Sequence, residues 1–126
     1  MDKTALVDKQ IDEGKKLIEG LDKSKFKLVG ALWYYNSNSG EWKLLLVSPL
    51  VDVIGPKQSY DVILAVLQDL KLSFELLTNI SVLSPKNSLI QLLGRVVHTE
   101  GISQIRFTRN TINGVFIEDA LIYRLC

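Results

Sequence analysis

The stretch KLVGALWYY at 27–35 is apolar on both of its alternating faces. That pattern places a strand centrally in a sheet, covered on much of both sides. The rest of the chain has to supply its neighbours and its cover. Residues 36–40 (NSNSG) read as a turn, being types that tolerate tight backbone geometry. WKLLLVS at 42–48 returns as an antiparallel partner. Pro49 stops it, because proline has no N–H to give the ladder.

Three helices are expected. Val7, Ile11, Gly14, Leu17, Ile18 and Leu21 form one stripe at helical spacing across residues 4–21. Gly14 weakens that helix, so its place on the stripe points to close backbone packing. The 50–54 segment is apolar without a clear period. Gly55-Pro56 announces the second helix, with Pro56 suited to its first turn; its stripe is Tyr60, Ile63, Leu64, Leu67 and Leu70. Residues 72–79 are ambiguous. Asn87 or Ser88 caps the third helix, whose stripe is Leu89, Ile90, Leu93, Val96 and Val97, with Gly101 closing the region.

Strands fill the gaps. ISVLS at 80–84 is a short strand stopped by Pro85. It and the 42–48 strand both end on Ser-Pro, an echo too short to be a repeat. QIRFTRN at 104–110 and VFIEDALIYRL at 115–125 flank Asn113-Gly114, the strongest hairpin signal in the chain. A type I′ turn needs positive φ at both central residues, which Asn-Gly allows. Glu118-Asp119 interrupts the last strand and reads as a bulge. The expected order is α-β-β-α-β-α-β-β: an α+β fold, with a mixed, mainly antiparallel five-stranded sheet and three helices. At 126 residues and with no linker visible, residues 1–126 read as a single domain.

Composition narrows the function classes. Fifteen basic against fourteen acidic side chains leave a net charge of +1, without the basic excess that drives nucleic-acid binding. All eleven lysines lie at or before Lys86, and all four arginines (Arg95, Arg106, Arg109 and Arg124) lie after it. Cys126 is the only cysteine, so no intrachain disulfide can form. His98 is the only histidine, and no metal-ligand spacing surrounds it. It reads as a helix-end residue, favourable there when protonated. The N-terminus lacks the apolar core of a signal peptide. No apolar run approaches a membrane span. A cytoplasmic setting is the expectation, with no membrane, no nucleic acid and no cofactor.

Four groups of residues could carry chemistry. Trp33, Tyr34, Tyr35 and Trp42 could line a ligand pocket, but neighbours on a strand face opposite ways, and cross-strand packing explains them better. Glu41-Trp42-Lys43 has the acid-x-lysine form of metal-dependent nucleases, yet the preceding strand offers no carboxylate to complete a metal site. Ser48, Asp52 and Ser84 sit at strand ends, with no histidine at a predictable distance to activate a serine. The C-terminal hairpin is the preferred site: Arg106, Arg109 and Asn110 could hold an anion, Arg109 pointing away from the face of the other two. Pairing of its arginines with Glu118 or Asp119 is the plainer alternative.

Several strings carry a resemblance. They are ALWYY (31–35), EWKL (41–44), SPLVD (48–52) and Gly55-Pro56, then RFTRNTING (106–114) and IEDA (117–120). Together they resemble a family of small uncharacterised bacterial proteins. The resemblance implies a bacterial, cytoplasmic setting and assigns no activity and no functional residue. Without a catalytic constellation, the sequence favours a protein-interaction or assembly module, a homodimer, over an enzyme. The alternative is a small anionic-ligand or nucleotide binder using Arg106, Arg109 and Asn110.

Overall fold

The structure, a computed structural model, describes residues 6–126. In chain order the elements are α1 (Asp8–Asp22), β1 (Gly30–Asn36), β2 (Glu41–Val47), α2 (Val51–Leu70), α3 (Phe74–Thr78), β3 (Ile80–Leu83), α4 (Ser88–Leu93), β4 (Ile105–Ile112) and β5 (Val115–Leu125). The strands form one sheet in the order β3-β2-β1-β5-β4. All pairings are antiparallel except β2 with β3. The fold is α+β, with a mixed, mainly antiparallel five-stranded sheet.

β1 is the middle strand, as its two-faced apolar pattern requires. Ala31, Trp33 and Tyr35 point into a core shared with Leu17, Ile18 and Leu21 of α1, Ile63 and Leu67 of α2, and Leu76 of α3. Leu32 points the other way, into a core with Ile90 and Leu93 of α4 and with Val97. The sheet is therefore covered on both faces, heavily by three helices on one and by a single short helix on the other.

Local chemistry explains most boundaries. The N-terminal helix starts at Asp8, where the Gln10 side chain accepts from the Val7 N–H; Thr4 and Ala5, expected to be helical, lie outside the described residues. Gly14 faces the sheet. A Cβ there would come within 2.6 Å of the Tyr123 hydroxyl. That hydroxyl accepts from Trp33 Nε1–H (2.9 Å) and donates to the Ile11 carbonyl (2.6 Å). The missing side chain is what lets a buried hydrogen-bond relay join α1 to β1 and β5. Burial raises the Tyr123 phenol well above its ordinary pKa, with the Trp33 hydrogen bond pulling the other way.

Four differences from the sequence expectation have physical causes. The second helix begins before Gly55, with one turn from Val51; Gly55 then adopts φ 82° and ψ 167° and kinks the chain, and Pro56 opens the longer part. Residues 72–79 contain a fourth helix, α3, a single turn capped by the Ser73 side chain on the Glu75 N–H. α4 ends at Leu93, so Val97 reaches the core from a run of tight turns and Val96 is exposed. His98 accordingly lies on a loop rather than at a helix end. The fourth lies in β5, whose register shift falls at Tyr123, against β1.

The Ser-Pro echo acquires a meaning in three dimensions. β2 and β3 end side by side, with Val47 opposite Leu83. Each serine hydroxyl then accepts from a backbone N–H two residues on, Ser48 from Leu50 and Ser84 from Lys86 (both 3.1 Å). The same side-chain turn closes two neighbouring parallel strands.

Candidate functional site

β5 is longer than the strand it lies beside. It pairs with β1 only over Ala120–Leu125, whereas its pairing with β4 runs from Val115 to Ile122. The end of the C-terminal hairpin therefore extends past the β1 ladder as a two-stranded arm. From 108 to 116 every residue is exposed except Ile112, which is half-buried. At the tip Asn113 and Gly114 have φ of 47° and 80°, the two positive values a type I′ turn needs. Val115 and Phe116 stand next to the turn, 43% and 54% exposed.

The arm leaves the sheet at a kink. Arg109 has φ 51°, a left-handed conformation uncommon for a residue other than glycine. Arg109 and Glu118 are skipped in an otherwise continuous β4–β5 register. The alternation of faces inverts there on both strands: Ile105 and Phe107 join the same core as Ile112, and Ala120 and Ile122 the same core as Ile117. The interruption expected at Glu118-Asp119 is thus real in its position, but no residue is inserted on one strand against β4. The register shift of β5 lies further on, against β1, between the Ala31–Arg124 and Leu32–Ile122 pairs, leaving Tyr123 as the extra residue.

Below the kink, Arg106 is not an open cation. Its Nε and Nη2 donate to the two carboxylate oxygens of Asp119 at 2.7 and 2.8 Å. Asp119 is almost fully buried, at 1% exposure; Thr108 adds a longer hydroxyl contact of 3.4 Å. A buried carboxylate needs such a partner, because removing its countercharge leaves an uncompensated charge in low dielectric. The hydrogen bonds to Asp119 raise the Arg106 pKa above its ordinary value, against the opposing effect of burial. The guanidinium also lies 5.6 Å from the Trp42 ring centroid, and Trp42 in turn packs on Tyr35 at 5.4 Å and 60°.

This geometry separates the three residues of the expected anion site. Arg106 is held in a bidentate pair, which an incoming anion would have to displace. Arg109 and Asn110 are exposed on the arm beyond it. Arg124 is likewise occupied, bidentate to Asp22 of α1 at 2.7 and 2.8 Å. Two of the four arginines are thus closed by aspartates, Arg106 within its own hairpin and Arg124 across to α1.

The other candidate groups resolve into packing. Trp33, Tyr35 and Trp42 face the core beneath α1 and α2, while Tyr34 packs on the opposite face. Lys43 pairs with Glu41 at 3.8 Å. Ser84 donates to Asp52 at 2.9 Å, which ties α2 to the end of β3. Among the described residues there is no group of His, Cys, Asp and Glu able to hold a metal ion, and no helix is long and apolar enough to cross a membrane.

The sequence reading missed the arm's apolar tip. A signal was present: the last strand, VFIEDALIYRL, spans eleven residues against nine for KLVGALWYY, and it opens on two large apolar residues beside the Asn-Gly turn. No family model, curated protein or solved structure matches the chain. The resemblance drawn above is carried by its quoted residues alone.

Proposed function

We propose that the chain is a non-catalytic interaction module that self-associates through the β4–β5 arm. The observation behind this reading is the exposure of Val115 and Phe116, on opposite faces of the tip of a ribbon that extends beyond the sheet. A two-stranded ribbon is marginally stable by itself, so an arm that presents large apolar groups to water gains from a surface to lie against. Two-fold association is the commonest way for copies of one chain to bury such a group. The contact runs through the tip rather than by adding strands at the β4 edge, because the kink and charge at Arg109 interrupt that edge midway. An arm of this size buries less than a standard interface, so the dimer is weak and depends on concentration.

Light scattering over a wide concentration range tests this. The mass should rise toward that of a dimer as concentration increases. Phe116→Ser should hold the chain monomeric while changing stability by less than about 0.5 kcal/mol, as expected for an exposed site. A strict monomer at every concentration would remove the proposal.

A further inference from the structure

A second feature lies away from the arm. The turns that follow α4 and the end of β5 enclose a cleft of about 310 Å³, at the small end of the range for ligand sites. Its floor is apolar, made by the buried side chains of Ile90, Val97 and Leu125. Arg95 and His98 stand on its exposed rim. No acidic residue lines it.

Arg95 differs from the two arginines described above. Arg106 and Arg124 each carry an aspartate across their fork. Arg95 has neither an ion pair nor a side-chain hydrogen bond among the described residues, and the same is true of His98. An unpaired guanidinium presents a planar fork that matches a carboxylate, and an imidazole N–H can add a further donor. Beneath them, the apolar floor would accept a hydrocarbon body that leaves water on binding. The loop that carries His98 is tied down beside the site: the Thr99 N–H donates to the Leu125 carbonyl, and the Thr99 hydroxyl accepts from the Leu125 N–H, both at 3.0 Å. The cleft is therefore built on fixed backbone.

We infer that this cleft binds a small organic carboxylate, its charged end on Arg95 and His98 and its short aliphatic part on Ile90, Val97 and Leu125. The ligand is amphiphilic: neither a bare anion nor an uncharged hydrocarbon meets both halves of the site.

The chain supplies its own reporters, since its one histidine and one cysteine, His98 and Cys126, both line the cleft. Wild-type protein is titrated with hexanoate, acetate, hexanamide and inorganic phosphate. The readouts are the His98 imidazole resonances and the rate at which a thiol reagent labels Cys126. Hexanoate should shift the His98 signals saturably, slow the labelling, and bind at least about tenfold more tightly than acetate, given the extra methylenes it buries. Arg95→Gln should weaken hexanoate by about tenfold or more while the rest of the spectrum stays that of the folded chain, Arg95 being exposed. Phosphate or hexanamide binding as tightly as hexanoate would overturn the inference. So would an Arg95→Gln protein that binds hexanoate unchanged, or the absence of saturable shifts at His98.

Discussion

β1 and β2 pair along their whole lengths in one unbroken register, from Gly30–Val47 to Asn36–Glu41. The β4–β5 hairpin starts in the same sheet, then inverts its faces at Arg109 and Glu118 and leaves as an arm. Both are antiparallel hairpins with short turns. In the first, cores on both sides of the sheet hold the side chains, and a one-residue slip would exchange the contents of the two cores. In the second, the base is held by Ala120 and the Arg106–Asp119 pair, and past the kink one face is still held by Ile117 and the half-buried Ile112. At the kink the chain adopts a left-handed residue, and at the tip it exposes Val115 and Phe116. One hairpin is thus a structural centre and the other a structural base with a presented tip.

The contrast predicts where substitutions cost stability. The largest loss belongs to the first hairpin: Trp33→Ala removes a fully buried indole and should cost about 4 kcal/mol in denaturant unfolding. A loss within about 0.5 kcal/mol, the range of a surface site, would break the comparison at its strong end.

Gly14→Ala comes next. Its new Cβ would meet the Tyr123 hydroxyl and should cost about 2 kcal/mol by overpacking. On a Tyr123→Phe background, where that oxygen is gone, the same change should cost measurably less. The double-mutant cycle isolates the contact, and strict additivity would place the role of Gly14 elsewhere.

The smallest effect lies in the arm, with the opposite sign. Arg109→Gly relieves a left-handed side-chain conformation and should stabilise the protein by about 0.5–1 kcal/mol, the steric gain less the entropy glycine costs. Equilibrium unfolding checks the sign. Destabilisation would mean that the Arg109 side chain holds the kink through contacts of its own.

The two hairpins also differ in how much of them could be read in advance. The central place of β1 was legible because burial on both faces leaves a compositional mark. So was the turn at Asn113-Gly114, because few residue pairs accept positive φ twice. The kink was legible only as an interruption at Glu118-Asp119; its left-handed residue, Arg109, sits on the partner strand and is of a type that does not advertise that conformation. Pairing of a hairpin arginine with Glu118 or Asp119 was the plainer expectation and holds for Arg106 and Asp119, whereas the Arg124–Asp22 pair joins β5 to α1 across 102 positions and had no local signal. α3 escaped because one turn of helix has no period to detect, although its Ser73 cap is of a usual type. The carboxylate cleft was not visible at all. Arg95 and His98 follow α4, while Leu125 ends β5, Cys126 follows it and Val29 precedes β1, and no local pattern links them.

The proposed association through the arm, beside a β1–β2 hairpin held by its own cores, sets the two hairpins apart in solution. Amide hydrogen exchange at several protein concentrations tests it most directly. Amides of β1 and β2 should exchange slowly and at rates independent of concentration. Amides near Val115 and Phe116 should exchange fast in dilute solution and become protected as concentration rises, and Phe116→Ser should abolish that gain. Arm protection that stays the same at every concentration would contradict the account.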